Sequence, residues 1–345
     1  MERIDLLRCL ANNMLHLILM PTEACNFRCT YCYEDFRYAR MEPAVRRGVK
    51  AFLARRAADL NWLEVSWFGG EPLLAMDVIE DISSHVLELQ RQFPLLHYTG
   101  EITTNAYSLS TSRFERLLDL GVSRYQISFD GPQEWHDRKR VLAGGGGTFD
   151  RIWKNVLAMR AVPREFHVLV RLHVDQENHE ALPAFIRQYA EAFGQDERFE
   201  LFIRRLVCLG GPNDATLPVF DEETGDAVVH SLSRYAKELG VRHVLEQHPQ
   251  LCYATRGNSY LVRANGRLNK CTVALEHPNN QVGRLREDGL LDLDSTKMHQ
   301  WMRGLWTGSR DELECPMKGY ADPAPTTWVA PPNVRLALAP PPASA

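Results

Sequence analysis

The chain alternates short apolar runs, rich in β-branched and aromatic residues, with longer stretches of 3.6-residue periodicity. Strands are predicted at residues 15–20, 63–68, 97–103, 124–129, 167–174 and 200–207, and helices at 43–57, 77–92, 110–120, 149–160, 179–193 and 222–239. Thr148 is placed to cap the helix that begins at residue 149. This alternation is typical of βα units around a parallel sheet. It predicts an α/β fold, a partial (β/α)6 TIM-like barrel, because six units are too few for the closed eight-stranded form.

Length and composition suggest a large domain, a smaller one and a tail. The 345 residues are 45% hydrophobic, and the net charge is -4 with mixed signs. We expect no nucleic-acid partner from this charge, and no membrane span, because no apolar run approaches the roughly 20 residues needed. We expect the barrel at residues 1–215, a small cysteine-containing domain at 216–320 and a flexible Pro-rich tail at 321–345. The first residues lack the features of a signal peptide, so a cytoplasmic location is expected.

Polar or glycine-rich motifs follow the predicted strands at their C-terminal ends. The first strand leads into three cysteines, the second into Gly69-Gly70-Glu71-Pro72 and the third into Thr104-Asn105. The fourth ends in Ser128-Phe129-Asp130-Gly131, and Arg171 and His173 lie near the end of the fifth. In barrels of parallel strands the βα loops converge at this rim, and reacting residues gather there. These motifs are therefore expected to form one site.

The cysteines after the first strand, Cys25, Cys29 and Cys32, are separated by three and then two residues. A loop this short can place three thiolates around one face of a 4Fe-4S cluster, which leaves one iron open to a further ligand. A structural zinc site would need a fourth His or Cys at finger-like spacing, whereas the next cysteine is Cys208. Cysteines of a cytosolic chain are more often metal ligands or catalytic groups than disulfides. The spacing therefore favours an iron-sulfur cluster over zinc or inert thiols.

This spacing, with the aromatic Tyr31 just before the last cysteine, resembles the signature of the radical S-adenosylmethionine (SAM) enzymes. The resemblance extends over roughly residues 14–215. It implies that the open iron binds SAM, that SAM is cleaved reductively to a 5′-deoxyadenosyl radical, and that this radical abstracts hydrogen from a substrate. It also implies a flavodoxin or ferredoxin-type electron donor.

The glycine motif after the second strand is similar to the family's second motif, in which glycine backbone approaches the SAM amino group. Thr104 and Asn105 are further candidates for binding SAM, although they could instead form a strand-ending Asx turn. Arg171 could grip the SAM carboxylate through two hydrogen bonds, or form a salt bridge inside the barrel. The resemblance thus implies a SAM-binding set of Tyr31, Gly69, Gly70, Glu71, Thr104, Asn105, Ser128 and Arg171.

Ser128 to Gly131 and the His136-Asp137 pair resemble the SPASM-type, peptide-modifying branch of the family. Cys252, Gly266 and Cys271, with thirteen and then four residues between them, are similar to its auxiliary-cluster element, in which Asn265-Gly266 would make a hairpin turn. The resemblance implies one auxiliary 4Fe-4S cluster, in a shortened twitch/SPASM-like domain, held by Cys252, Cys271 and Cys315.

The auxiliary set departs from the family pattern, because Lys318 stands where a second cysteine would follow Cys315. The fourth ligand could be Cys208, another side chain or none. A zinc site or a set of cluster-free cysteines also stays open. Cys9 is expected to be a small buried hydrophobe.

The resemblance favours a maturase of a ribosomally made peptide (a RiPP maturase), which would make a crosslink or an epimerised residue. Asp130, His173 and Tyr253 are candidate catalytic residues for proton transfer. The expected partner is a precursor peptide. Because only about a dozen residues precede the first strand, its leader would bind a separate protein or the barrel's own edge. The alternatives are an anaerobic sulfatase-maturing enzyme, a twitch-domain dehydrogenase of a sugar or aminocyclitol, and a non-catalytic iron-sulfur module.

Overall fold

The computed structural model describes residues 8–244, 251–318 and 320, so the Pro-rich stretch 321–345 lies outside the described residues. Its strands are β1 Met14–Leu19, β2 Phe27–Cys29, β3 Trp62–Trp67, β4 His97–Thr104, β5 Val122–Phe129, β6 Arg140–Leu142, β7 His167–Val174, β8 Phe199–Arg205, β9 His243–Val244, β10 Ser259–Val262, β11 Arg267–Asn269, β12 Gln281–Leu285 and β13 Leu291–Leu293. The six predicted strands are all present, as β1, β3, β4, β5, β7 and β8, and they pair in that order, each parallel to the next. The predicted parallel α/β sheet is therefore confirmed.

The helices are α1 Pro43–Arg56, α2 Met76–Gln92, α3 Thr111–Asp119, α4 Gln133–Lys139, α5 Phe149–Met159, α6 Leu182–Phe193, α7 Glu222–Glu238, α8 Ser295–Trp301, α9 Gly304–Thr307 and α10 Arg310–Glu314. The six predicted helices are α1, α2, α3, α5, α6 and α7. Helix α6 begins three residues later than predicted, because Asp175 and Asn178 hold residues 175–178 in a side-chain-bonded turn. Among the described residues, no helix combines the length and the apolar character needed to span a membrane.

The cap of α5 differs from its prediction. Thr148 makes no side-chain capping bond, because its hydroxyl donates to the carbonyl of Arg140 instead. Asp137 takes over, since its Oδ1 accepts hydrogen bonds from the backbone N–H groups of Thr148 and Phe149 at 2.7 and 2.9 Å. The capping carboxylate therefore comes from α4 and not from the residue adjacent to the helix.

The C-terminal strands continue the same sheet. Strand β10 pairs parallel with β1, and β11, β12 and β13 follow in an antiparallel meander. The predicted Asn265-Gly266 turn joins β10 to β11, with Gly266 at a φ of 82° and its N–H bonded to the carbonyl of Arg263. The sheet ends at β13 on one side and β9 on the other, so within the described residues it stays open, as an incomplete barrel does.

Alternation along the strands separates the apolar core from the site. In β5, Tyr125, Ile127 and Phe129 are buried, and Phe129 packs against the aromatic rings of Phe149 and Phe185 on the helices. Successive side chains of a strand point to opposite faces. Gln126 and Ser128 therefore face away from those helices, toward the cavity described next.

Candidate active site

A cavity opens at the C-terminal ends of the parallel strands, where the sequence predicted a site. Its walls bring together residues that are far apart in the chain. The predicted site residues that line it are Cys25, Cys29, Tyr31, Cys32, Gly69, Gly70, Thr104, Asn105, Ser128, Arg171 and His173. The loops of five successive strands thus meet at one rim, as the sequence predicted.

A two-stranded ribbon holds the first cysteine loop in place. Strand β2 pairs antiparallel with β6, which sets Cys29 opposite Arg140. Burial raises the pKa of Cys25 to about 12 and that of Cys32 to about 11, and neighbouring thiols add to both shifts. The Arg140 guanidinium opposes the effect of burial at Cys29 and Cys32. Three partly buried thiols facing one cavity need a positively charged partner to ionise together.

Tyr31, within the cysteine loop, ties this loop to the barrel strands. Its hydroxyl donates to the Asp130 carboxylate at 2.9 Å from Oδ2, and it accepts from Nη1 of Arg140 at 2.9 Å. Nδ1 of His173 lies 2.8 Å from Asp130 Oδ1 and 3.3 Å from the tyrosine oxygen. The amide of Asn178 donates to the carbonyls of both Asp130 and His173, which fixes the ends of β5 and β7.

This arrangement separates the charge states of its acid and its base. Burial alone would raise the pKa of Asp130, but the hydrogen bond from His173 and the nearby Arg140 outweigh it and lower this pKa to about 2. Burial lowers the pKa of His173 to about 4, and Arg171 adds to this shift. At neutral pH, Asp130 is therefore ionised and His173 is neutral.

The glycine motif packs against the cysteine loop. A Cβ on Gly69, whose φ is 106°, would lie 2.3 Å from the carbonyl oxygen of Thr22, and one on Gly70 would lie 2.5 Å from that of Ala24. No other residue fits at that distance from backbone. The two glycines therefore serve the approach of two protein loops as well as lining the cavity.

Glu71 lies behind the wall of the cavity and is fully buried. Its carboxylate accepts from the Leu73 N–H at 3.0 Å, the Thr104 hydroxyl at 2.7 Å and the Asn105 N–H at 2.7 Å. Burial raises the pKa of Glu71, and these three hydrogen bonds oppose the increase. Glu71 thus holds the end of β4 against the glycine motif, and Thr104 and Asn105, not Glu71, line the cavity.

Asn105, Ser128 and Arg171 are placed to contact a ligand. Oδ1 of Asn105 accepts from the Tyr107 N–H at 3.0 Å, so the Asx turn that was the alternative to SAM binding is present. Its Nδ2 donates to Asn26 in the cysteine loop at 2.8 Å. Ser128 and Arg171 stand side by side, because they are directly paired in the register of β5 and β7. Both line the cavity next to His173.

The three C-terminal cysteines form a second set. Cys252, Cys271 and Cys315 are half-buried, and burial together with the other two thiols raises the pKa of Cys252 to about 11. The N–H of Cys252 bonds to the carbonyl of Leu313, which brings it to the end of α10. Nδ2 and Oδ1 of Asn280 bond the backbone around Cys271. Folding thus brings together three cysteines, of which the first and the last are 63 positions apart in the chain.

The family of the barrel part follows from comparison with known proteins. The model of the radical SAM superfamily matches residues 19–188. Residues 19–188 therefore belong to the radical SAM superfamily. The matched segment contains Cys25, Cys29 and Cys32 together with the ends of five barrel strands.

Curated relatives match the chain in part. A GTP 3′,8-cyclase from Klebsiella pneumoniae (strain 342) is 28% identical over 59% of this chain and 58% of its own length. A cysteine-type anaerobic sulfatase-maturating enzyme from Clostridium novyi (strain NT) is 24% identical over 58% of this chain and 54% of its own length. The chain thus spans between half and two thirds of these relatives, whose similarity supports the radical SAM domain.

Solved structures share the fold over more of the chain. A structure of anSMEcpe with bound AdoMet and the Kp18Cys peptide superposes with a TM-score of 0.65 at 18% identity, over 85% of this chain and 84% of its own. SuiB from Streptococcus suis, bound to the precursor peptide SuiA, superposes with a TM-score of 0.55 at 14% identity, over 79% of this chain and 63% of its own. These structures resemble this chain in fold beyond the barrel, into the region of the second cysteine set.

The residues present fit the cofactors of a radical SAM domain, a 4Fe-4S cluster and SAM. Among residues 8–244, 251–318 and 320, no three His, Cys, Asp or Glu side chains converge closely enough to hold a single metal ion. Three thiols from one short loop that face one cavity suit a 4Fe-4S cluster with one iron left open. A radical SAM cluster at Cys25, Cys29 and Cys32 leaves the polar rim of the cavity for SAM.

Two predicted residues lie away from the positions expected for them. Tyr253 does not line the cavity, because its hydroxyl bonds to the Thr272 side chain at 2.8 Å beside the second cysteine set. Cys208 is exposed, and its loop packs on the first cysteine loop, where Asn213 donates to the Thr30 carbonyl. Cys208 is therefore held near the first set, while the C-terminal trio is assembled by β11 and α10.

Cys9 is fully buried, as predicted. It lines a separate cavity of about 330 Å³ that lies at the N-terminal ends of β1 and β3, beside Met14, His16 and Trp62. The first cysteine set opens at the other ends of these strands. Cys9 therefore does not belong to the first set, and it lies near Lys270 beside the second.

Sequence reasoning assigned no role to several residues that shape the site. Arg140 contacts Tyr31 and faces Cys29. Tyr33 lines the cavity and also lies close to Cys271, so it separates the two cysteine sets. Glu34 lines the cavity, and burial, with the neighbouring Glu23, raises its pKa to about 8. Tyr33 and Glu34 directly follow Cys32, and this position is the sequence signal that could have identified them.

Lys270 is the buried cation of the second set. Its ammonium donates to the carbonyls of Arg256 and Ser259 at 2.5 and 2.6 Å. Burial lowers the pKa of Lys270 to about 7, and the nearby Cys252 thiol opposes this shift. Lys270 directly precedes Cys271, and this position is the sequence signal that could have identified it as part of the second set.

Proposed function

We propose that this radical SAM enzyme modifies a residue of a ribosomally made peptide, giving a carbon-carbon or thioether crosslink or an epimerised residue. The observation that carries the proposal is the cavity in which Cys25, Cys29 and Cys32 face His173, whose ring bonds to the buried Asp130. The folds of anSMEcpe and SuiB, both solved with peptides bound, support a peptide as the substrate class. A second cysteine set in the C-terminal strands supports one auxiliary cluster.

The proposed roles follow from the positions of the side chains. When bound, the clusters and SAM supply single-electron transfer and the 5′-deoxyadenosyl radical. Ser128 and Arg171 hold the SAM carboxylate and ribose, because a guanidinium pairs with a carboxylate through two hydrogen bonds. Asn105 adds an amide at the rim, and Cys252, Cys271 and Cys315 hold the auxiliary cluster. Its fourth position is filled by a residue other than Lys318 or by the substrate.

Proton transfer falls to His173. Its Nδ1–H donates to the ionised Asp130, which leaves Nε2 of the neutral ring to take a proton from the substrate. In a crosslink, the substrate loses two hydrogens. One leaves as an atom to the adenosyl carbon, and the other leaves as a proton to Nε2 and an electron, which an auxiliary cluster at Cys252, Cys271 and Cys315 would accept. Asp130 stabilises the imidazolium that results, and Tyr31 with Arg140 keeps the carboxylate in place.

The test is anaerobic reconstitution of the full chain, reduction with dithionite, and assay of 5′-deoxyadenosine with candidate substrates. A short peptide encoded beside this gene is expected to raise 5′-deoxyadenosine formation and to change in mass. A crosslink removes two hydrogens, and an epimerisation in D2O adds one deuterium. Background 5′-deoxyadenosine with an intact cluster would contradict the proposal and leave a non-catalytic iron-sulfur module.

The second candidate is a small-molecule reaction on a nucleotide. The 28% identity to a GTP 3′,8-cyclase favours it over the sugar dehydrogenase, although the match covers 58% of that relative. GTP in the same assay distinguishes the two. Stimulation by GTP alone would replace the peptide with a nucleotide, and stimulation by the peptide alone would exclude the cyclase reaction.

A further inference from the structure

Glu34 presents an unsatisfied carboxyl oxygen at the candidate active site. It lines the same cavity as the first cysteine set, and its Oε2 is shielded from solvent without accepting a hydrogen bond from any residue that the structure describes. Of the side chains known to line this cavity in the described part of the chain, Glu34 is the only carboxylate. A buried carboxyl oxygen without a donor costs free energy of folding. A bound molecule that brings a donor would recover that cost.

The wall around Glu34 carries more carboxylates than cations. Its charged side chains are Glu23, Glu34, Asp35, Arg37, Arg263 and Glu276. Arg263 donates to both oxygens of Glu23, at 2.9 and 2.7 Å, and also pairs with Glu276. Arg37 pairs with Asp35 and Glu276. Arg37 and Arg263 thus pair with Glu23, Asp35 and Glu276, and Oε2 of Glu34 is left without a donor. Burial disfavours the ionised form of Glu34, and a bound cation would stabilise that form, so this wall favours a cation.

The arginines that line the cavity are occupied as well. Arg140 donates to the Tyr31 hydroxyl, and Arg205 pairs with Glu222 and Asp226 on α7. Arg171 also has a contact of its own and is the residue proposed above to bind SAM. Glu34 Oε2 thus accepts from none of the described residues, and a bound ligand could supply the cation that this wall favours.

We propose that Glu34 binds a cationic side chain of the substrate, the ammonium of a lysine or the guanidinium of an arginine, next to the residue that reacts. This assignment rests on the proposed function, because it names a substrate side chain that enters the same cavity. Glu34 is a specificity residue and takes no part in the chemical step. A charged hydrogen bond of this kind favours the cationic side chain over a neutral one of equal length by about tenfold or more in affinity.

The test uses the reconstituted full chain with SAM and three acetylated, amidated tripeptides, Gly-Lys-Gly, Gly-norleucine-Gly and Gly-Glu-Gly. Dissociation constants are measured by calorimetry or by ligand-observed NMR. The wild type is expected to bind the lysine peptide about tenfold more tightly than the norleucine peptide, and the glutamate peptide most weakly. Glu34→Gln is expected to bring the lysine-to-norleucine ratio close to one.

Asp35→Asn is the matched control, because it removes one carboxylate from the adjacent, exposed position outside the cavity. It is expected to keep the tenfold ratio. An unchanged ratio in Glu34→Gln would overturn the assignment, as would equal weakening of both peptides, which indicates a bond to backbone N–H. A weakened affinity for SAM with an unchanged ratio would also overturn it, because Glu34 would then serve SAM.

Thermal unfolding without peptide excludes a packing role. Glu34→Gln is expected to leave the melting temperature unchanged or to raise it, because no hydrogen bond to Oε2 is lost. A clear decrease would overturn the assignment. A tenfold ratio in a protein that makes no 5′-deoxyadenosine would contradict the enzymatic function while supporting the cation subsite, so the two failures are distinguishable.

Discussion

Cys25, Cys29 and Cys32 line a cavity at the ends of the parallel strands, whereas Cys252, Cys271 and Cys315 come together where the C-terminal strands meet the end of α10. Both sets consist of three half-buried cysteines. The first comes from a single loop of eight residues, from Cys25 to Cys32, and the second from three separate segments. The same donors thus face a cavity from one loop in the first region and are assembled from distant segments in the second.

The surroundings explain how similar ligands can serve different purposes. The first set faces Arg140 and the Tyr31–Asp130–His173 network, groups that can contact a substrate. The second faces the buried Lys270, whose hydrogen bonds go to backbone carbonyls of its own region. A cluster in the first region can therefore act on bound molecules, while one in the second can store or pass electrons.

The largest expected effect separates ligand cysteines from packing cysteines. Cys29→Ala is expected to abolish SAM cleavage, because it removes one of only three thiolates that hold the first cluster. Cys9→Ala is the control, and it should keep SAM cleavage, because Cys9 lies in the cavity at the other end of the strands. Formation of 5′-deoxyadenosine under dithionite measures both. Equal loss in the two variants would show that the first set has been misassigned.

The next effect tests the second set by itself. Cys271→Ala is expected to lower the iron content by about four atoms per chain, because one 4Fe-4S cluster is lost. SAM cleavage should persist, since the first set lines a cavity to which Cys271 does not contribute. Iron analysis and 5′-deoxyadenosine assay give the result. Unchanged iron would mean that Cys252, Cys271 and Cys315 bind no cluster.

A third prediction concerns the ion pair that joins the two regions. Arg263, in the β10–β11 turn, and Glu23, beside the first cysteine loop, are each only 1% exposed in their side chains. Arg263→Met leaves Glu23 buried without its partner, at an expected cost of about 3–5 kcal/mol in the free energy of unfolding.

Arg286→Met is the matched control, because its pair with Asp288 is about 40% exposed, at 39% and 42% for the two side chains. Its expected cost is below about 1 kcal/mol. Urea unfolding measures both variants. A loss at Arg263 as small as that at Arg286 would mean that the two regions are not coupled through this pair.

The smallest effect concerns the wall of the first set. Burial lowers the pKa of His136 from 6.5 to about 4, and Arg140 adds to the shift. Between these two values the unfolded chain binds a proton that the folded chain does not, so the contribution of His136 to stability falls as pH falls. The stability difference between wild type and His136→Asn should therefore shift by on the order of 2 kcal/mol against wild type from about pH 7.5 to about pH 5. Urea unfolding at both values measures it, and a constant difference would contradict a buried, neutral His136.

Much of the barrel could be predicted because its signals are local. Each of the six strands and helices carries its own periodicity, and each motif follows its strand directly. The Asn265-Gly266 turn was equally local, since it depends on one glycine at positive φ. The cavity at the strand ends followed from general rules for parallel sheets.

The remaining features depend on distant pairs that a single sequence does not show. Strand β10 pairs with β1 from 243 residues away, with His16 opposite Ser259. The Tyr31–Asp130 hydrogen bond joins residues that are 99 positions apart. The sequence could therefore indicate Asp130 as a catalytic candidate but could not indicate Tyr31 as its partner. Thr148 lost the capping role to Asp137 for a similar reason, because only the packing of α4 on α5 brings that carboxylate close. Tyr253 was predicted to be catalytic because the sequence does not show that its hydroxyl contacts Thr272, beside the second cysteine set.

Electron paramagnetic resonance of a variant without the second set tests the account most directly. Cys252→Ala, Cys271→Ala and Cys315→Ala are combined in the full chain, which is then reconstituted anaerobically and reduced with dithionite. We expect one remaining 4Fe-4S signal, from a cluster held by Cys25, Cys29 and Cys32, and this signal should change when SAM is added. No signal, or a signal that SAM leaves unchanged, would contradict it.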